Sequence, residues 1–268
     1  MFFLAVEVWL DYWLGGSMSM NKTILKTYNL TKNFGALRAS DKISIDLRVG
    51  EIHGLIGPNG AGKTTLIAQI MGGLKPDSGL IEFDGTDITS FTTESRAQAG
   101  LGRTFQISQL AMDQTVLQNV VLGTVGESGG VWNFWRPVLA VQELRERAME
   151  SLSDVGLADK AATPVSELSH GGRRQLEVAI ALTLNPKAFV MDEPMAGLGS
   201  EGSKKMTIFL DNLRTRAPIL LVEHDMEAVF ALSDRISVLV SGMVIATGSV
   251  DQIRNDARVR KAYLGEDS

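Results

Sequence analysis

Residues 52–71 read IHGLIGPNGAGKTTLIAQIM. A short, continuous apolar run enters a glycine-rich turn, and a segment of helical character leaves it. Gly57, Gly60 and Gly62 free the backbone of the turn, so that successive N–H groups can curl around one point. The helix that starts at Lys63 adds the partial positive charge of its N-terminus to that point. The loop Gly57-Pro58-Asn59-Gly60-Ala61-Gly62-Lys63-Thr64-Thr65 is therefore a cradle for phosphate oxygens. Lys63 is placed to reach the β- and γ-phosphates and the Thr64 hydroxyl to ligand Mg²⁺. The strand before and the helix after separate this loop from a glycine-rich turn of purely structural purpose.

The strand reading extends outward. The runs at 188–191 (AFVM), 218–223 (PILLVE) and 236–240 (ISVLV) are short and nearly continuous in apolar residues, like 52–56, as strands covered on both faces are. With helical stretches at 63–71 and 201–214, they predict an α/β core with a parallel sheet and crossover helices. Residues 43–49, ISIDLRV, alternate apolar and polar and predict one half-buried strand of an antiparallel sheet. Asp84-Gly85 after LIEF marks a tight hairpin. Between Gln106 and Pro186 the texture turns helical, near 114–123, 138–155 and 173–184, which predicts a helical lobe inserted in the α/β body. The piece GESGGVWNFWRP at 126–137 reads as a loop whose Trp132 and Trp135 either touch a membrane partner or pack within the lobe, and the second is the preferred reading.

Four further features carry chemistry. AFVMDEP at 188–194 delivers two adjacent carboxylates at the carboxyl end of a parallel strand, beside the phosphate loop. Asp192 can hold Mg²⁺ through water, and Glu193 can orient or deprotonate the water that attacks the γ-phosphate. His224 ends the strand ILLVEH over the same sheet edge, within reach of the γ-phosphate. Gln106, at the junction of sheet and lobe, is a candidate contact to Mg²⁺ or water. In LSHGGRRQLE at 168–177 a serine and glycines open a long helix: read alone this is an N-cap, read with the other motifs it is a second anion site in the lobe. Together these features describe a chain that binds and hydrolyses ATP with Mg²⁺, two copies completing each other's sites.

Composition narrows the classes. The 268 residues carry 26 Lys and Arg against 31 Asp and Glu, a net charge of −5, with no basic footprint for nucleic acid. No cysteine is present, which excludes disulfides, thiolate metal sites and cysteine nucleophiles. Residues 1–16, MFFLAVEVWLDYWLGG, are apolar but interrupted by Glu7 and Asp11 and lack a preceding positive charge, unlike a secretory signal or a membrane span. They read either as an amphipathic segment touching a membrane or partner, or as an over-long start before Met18 or Met20, and the second is the preferred reading.

The ordered set GPNGAGKTT, Gln106, LSHGGRRQLE, AFVMDEP and His224 resembles the ABC-type ATPases over nearly all of residues 22–265. GRTFQ at 102–106, LSHG with RRQLE, LVEHDM at 221–226 and AYLGE at 262–266 look like the ATP-binding subunits of branched-chain amino-acid importers. The resemblance implies one ABC-type nucleotide-binding domain over 22–265, with a mixed sheet core, an antiparallel β subdomain and a helical subdomain inserted at about 107–186, residues 1–21 being an extension. It implies an ATP-sandwich dimer, with a second copy or a paralogous ATPase, at the cytoplasmic face of the inner membrane, peripheral to two permease subunits that a solute-binding protein supplies. It further implies that Phe34 stacks on adenine, that Thr64, Gln106 and Asp192 serve Mg²⁺, and that Ser169 and Gly171, with Gly172 beside them, contact the other subunit's γ-phosphate. His170 and Gly172 replace the glycine and glutamine of many members, and Gly199 stands where many place aspartate or asparagine. The rival readings are a lipid or lipopolysaccharide-export ATPase, a urea or short-amide system, and a soluble ABC ATPase outside transport.

Overall fold

A computed structural model describes residues 22–104, 110–127 and 142–264. The chain opens with a long strand, β1 (Thr23–Phe34), followed by β2 (Leu37–Ile43) and β3 (Asp46–Arg48), which both pair antiparallel with it. The single strand expected at 43–49 is thus broken at Ser44 and Ile45. Its alternation nevertheless holds, because Ile43, Ile45 and Leu47 all point inward. Thr27, a fully buried residue of β1, spans the break: its hydroxyl donates to Ile43 O at 3.3 Å and accepts from Ile45 N–H at 2.9 Å. A side chain replaces the ladder bonds the backbone gives up there.

Next come β4 (Ile52–Ile56), α1 (Lys63–Ile70), β5 (Ser78–Phe83) and β6 (Thr86–Asp87). The β5–β6 hairpin turns on Asp84 and Gly85, both at positive φ (48° and 76°), the geometry that makes Asp-Gly the preferred pair there. The antiparallel sheet has the order β2-β1-β5-β6, with β3 also on β1. After α2 (Thr93–Gln98) and β7 (Leu101–Thr104) come the helices α3 (Val116–Glu127), α4 (Gln142–Asp154) and α5 (His170–Leu182), close to the three helical segments read from the sequence. The loop assigned to 126–137, with Trp132 and Trp135, falls for the most part outside the described residues, as do residues 1–21.

The remainder alternates: β8 (Ala188–Asp192), α6 (Gly199–Leu213), β9 (Ile219–Val222), α7 (Met226–Leu232), β10 (Arg235–Val240), β11 (Met243–Gly248), α8 (Val250–Asn255) and α9 (Ala257–Leu264). The second sheet has the order β11-β10-β4-β9-β8-β7, parallel from β10 to β7, with β11 antiparallel at one edge. All four apolar runs lie in its parallel part, and β4, β9 and nearly all of β8 are buried, as strands covered by layers on both faces must be. On one side, Val120, Leu152 and Leu176 of the three helices share a cluster with Phe189 and Met191 of β8. On the other, Leu66 and Ile70 of α1 join Leu25 and Phe83 of the antiparallel sheet. No helix among the described residues is long and apolar enough to cross a membrane.

Two buried polar clusters brace the scaffold. Arg235 donates to Glu51 Oε1 at 2.5 Å, to Asp46 Oδ2 at 2.9 Å and to His53 Nδ1 at 3.2 Å, tying β10 to β3 and β4. Since a guanidinium only donates, His53 Nδ1 is the acceptor and its Nε2–H faces Ser237 Oγ at 2.9 Å. Burial pushes the His53 imidazole down to about 4, so it is neutral at physiological pH. Arg96 donates to Gln69 O and Ile70 O at 2.6 and 2.5 Å and to Thr89 O at 3.0 Å. It thereby supplies a donor to Ile70 O and a second one to Gln69 O, which also accepts from Gly72 N–H, and complements the negative end of α1.

Candidate functional site

The fully buried β4 ends at Ile56 and releases the chain at the carboxyl edge of the parallel sheet. The turn that follows needs glycine for two distinct reasons. Gly60 and Gly62 have φ of 79° and 105°, where a side chain is strained. At Gly57 and Gly62 a Cβ would also lie 2.1 Å from Leu239 O and 2.4 Å from Ala39 O, inside contact distance of immovable backbone. Lys63 donates to Gly57 O at 2.6 Å and Pro58 O at 3.2 Å, folding its ammonium back over its own loop. Burial pushes that ammonium downward, while the nearby Glu193 and Asp192 carboxylates pull it the other way.

A cleft of about 510 Å³ opens over the loop, lined by Phe34, Leu37, Asn59 through Thr65, Asp192 and Glu193. Phe34 and Leu37 face each other across the β1–β2 turn and are 50% and 67% exposed, an apolar lip on an otherwise polar cleft. Sequence reasoning picked out Phe34 and missed Leu37, whose signal was an unburied leucine beside a tight turn. Asp192 closes β8, and Glu193 follows in the left-handed region at φ 51°. Such a conformation costs a non-glycine residue about 1–2 kcal/mol and persists only when its surroundings impose it. Glu193 Oε1 lies 3.3 Å from His224 Nδ1, so the carboxylate and imidazole predicted at two strand ends do meet; both are substantially exposed, and of the two only Glu193 lines the cleft.

Two residues that sequence reasoning passed over hold this pair from behind. Glu223 is almost fully buried; its carboxylate accepts from Met195 N–H at 2.7 Å and from His224 N–H at 3.2 Å. Burial pushes its pKa up, partly offset by those two amides. Arg174 of α5 donates to Glu193 O at 2.8 Å and Ala196 O at 2.9 Å. A buried acid at a strand end was visible as VEH, but its partner is 28 residues distant in the chain.

Ser169, Gly171 and Gly172 lie elsewhere. With His170, Gly197, Leu198 and Lys205 they line a second cleft of about 470 Å³ that shares no lining residue with the first. Ser169 does cap α5, accepting from Gly172 N–H at 3.2 Å. Gly199 begins α6 at φ 65° with open space where a Cβ would stand. Gln106 lies outside the described residues. Among the described residues no group of three or more His, Cys, Asp or Glu side chains is arranged to hold a metal ion. The Thr64 hydroxyl and Asp192 carboxylate on one cleft are the sparse oxygen set that suits Mg²⁺ when phosphates and water complete its shell.

Residues 40–196 match the family described as ABC transporter, and residues 243–268 the family described as branched-chain amino acid ATP-binding cassette transporter. The chain is 35% identical over 254 residues to the high-affinity branched-chain amino acid transport ATP-binding protein LivG of Salmonella typhimurium, covering 92% of this chain and all of the relative. It is 33% identical over 245 residues to the lipopolysaccharide export system ATP-binding protein LptB of Haemophilus influenzae, covering 91% and 98%. Among solved structures, the ADP conformation of MJ1267, an ATP-binding cassette of an ABC transporter, superposes with a TM-score of 0.82 at 32% identity, covering 91% of this chain and all of that one.

Proposed function

The chain belongs to the ABC transporter family of ATP-binding cassettes, ATPases that hydrolyse ATP for transport, and from that premise we propose that it energises an importer of branched-chain amino acids. The observation that carries the ATPase chemistry is the single cleft on which the phosphate loop, Asp192 and Glu193 converge, with His224 against Glu193. The match of residues 243–268 to the branched-chain family supports the solute class.

In this reading the loop amides of Gly57 to Thr65 and Lys63 hold the phosphates, and Phe34 stacks on adenine at the lip of the cleft. Lys63 leaves the carbonyls of Gly57 and Pro58 when phosphate oxygens offer a better partner. Thr64 and Asp192, with Gln106, would hold Mg²⁺, which when bound neutralises charge on the phosphates. Glu193 orients and accepts a proton from the attacking water, and His224 keeps the carboxylate aimed and faces the γ-phosphate. Because Ser169, Gly171 and Gly172 line a separate cleft, they reach a γ-phosphate only on another copy or a paralogous ATPase, which supports two composite sites in a closed dimer. ATP then favours the closed dimer by contacts the open form lacks, and hydrolysis releases it.

The domain spans 22–265 in this reading, and a helical subdomain at about 107–186 passes the motion to membrane-spanning permease subunits. The chain sits peripherally on the cytoplasmic face of the membrane, and a solute-binding protein acts on the far side. Turnover by the purified chain, and its loss in Glu193→Gln with ATP binding and ATP-dependent dimerisation retained, tests the chemistry. Affinity capture from solubilised membranes of the host tests the partners: two multi-span permeases with a solute-binding protein support import. The likeness to LptB favours lipopolysaccharide export as the second reading, and recovery of lipid-export components would replace the first with it.

A further inference from the structure

We propose that Arg174 is a positioning residue for Glu193, through which the placement of α5 sets the aim of the carboxylate; this rests on the reading of Glu193 given above. Glu193 occupies a left-handed conformation that its own side chain does not favour, so something must impose it. Its amide donates to Val222 O at 2.8 Å, which fixes the peptide before it to β9. Its carbonyl, which leads away from the sheet, accepts from Ala196 N–H at 3.2 Å and from Arg174 Nη1 at 2.8 Å. The second nitrogen of the same guanidinium holds Ala196 O at 2.9 Å, so one planar fork closes the turn 193–196 from the outside. Glu223 holds the same turn from the inside through Met195 N–H.

The fork comes from α5, whose N-terminus is capped by Ser169 and lines the second cleft. The helix that carries Ser169 and the peptide that carries the Glu193 carboxylate are therefore bolted together by two charge-assisted hydrogen bonds. A shift of α5 is transmitted to the carbonyl of Glu193 and, through its φ, to the carboxylate. Lysine cannot replace the fork, because a single ammonium does not present two parallel donors to two carbonyls.

The test is a kinetic double-mutant cycle on the full chain, with ATP turnover measured for wild type, Arg174→Met, Glu193→Gln and the double variant. Arg174→Met is expected to lower kcat about tenfold, with KM for ATP changed less than about twofold, the pattern of a group that acts only in the reacting geometry. In the Glu193→Gln background the same substitution is expected to lower the residual turnover no further. Arg174→Lys should fall with Arg174→Met, and it provides the same cycle should the methionine variant fail to fold. Arg173→Met, one residue away with the same change in charge, should turn over as wild type does. An equal fold-loss in both backgrounds, a change confined to KM, or wild-type kinetics for both Arg174 variants would overturn the proposal. Wild-type turnover by Glu193→Gln alone would remove the reading of Glu193 itself, and it shows in the single variant before Arg174 is changed.

Discussion

Acidification from about pH 7.5 to about 4.5 is expected to cost the folded protein about 2–3 kcal/mol through His53 alone. The imidazole is 1% exposed, accepts from Arg235 at Nδ1 and faces Ser237 at Nε2. Burial pushes it from its ordinary 6.5 down to about 4. Glu51 and Asp46, the carboxylates facing it, pull the other way without cancelling the burial, and Arg235 adds to it. A group whose folded pKa lies below its unfolded pKa binds fewer protons when folded. The stability it represents is therefore complete above the unfolded value near 6.5 and drains away as pH falls toward the folded value near 4. At about 1.4 kcal/mol per pKa unit the whole window is worth about 3 kcal/mol, most of it already lost at pH 4.5. The assay is urea unfolding of wild type and His53→Gln at both pH values. Glutamine can accept from Arg235 and donate to Ser237 but does not titrate. Groups remote from His53 titrate equally in both proteins, so the difference between their pH slopes reads His53 together with its coupling to Glu51 and Asp46. Identical slopes would refute the argument, since they would mean that the imidazole charges in the folded protein as easily as in the unfolded one.

Further outcomes follow from the same geometry. Glu193→Gln should lower turnover by at least about a hundredfold, the scale of general-base assistance, while a fluorescent ATP analogue binds with unchanged affinity. Gly62→Ala should abolish that binding while far-UV circular dichroism stays native-like, because the added Cβ meets Ala39 O at 2.4 Å at a φ of 105°. Arg96→Met should lower the unfolding free energy by about 1–3 kcal/mol in denaturant titrations, since it removes the guanidinium donor from Ile70 O and leaves Gln69 O with only the Gly72 amide. Gly199→Asn should fold with stability within about 1 kcal/mol of wild type, because asparagine tolerates φ of 65° and open space awaits the side chain; a fall of several degrees in Tm would show that the site is tighter than described.

The parallel core was readable because strands covered on both faces are nearly continuous in apolar residues, and IHGLI, AFVM, ILLV and ISVLV show that pattern over lengths too short for helices, interrupted only by the paired His53 and Ser237 and by Gly54. The phosphate loop was readable because its glycines serve a backbone need that leaves a trace in every position. β1 escaped notice because register shifts opposite Leu30 and Lys32 break its alternation. β7 escaped because four residues, LGRT, at a sheet edge carry too little pattern to register. Glu223 and Arg174 were beyond reach for another reason. A buried carboxylate and a guanidinium reveal their roles only through partners brought close by folding, and nothing local in VEH or RRQ specifies them. The same holds for Arg235, whose carboxylate partner Glu51 is 184 residues away.

That separation bears on how the molecule is made. β4 delivers the phosphate loop, yet its ladder neighbours are β9 and β10, and the contact between His53 and Ser237 also spans 184 residues. While the chain leaves the ribosome, the antiparallel sheet can assemble early from neighbouring segments, but β4 has no strand to pair with until β9, which begins at Ile219, has been synthesised. Closing so long a loop is slow and leaves apolar edges uncovered in the interval. The nucleotide cradle is thus held in place only after β9 and β10 have been made, so a nascent chain that stops short of Ile219 lacks the strands that flank it.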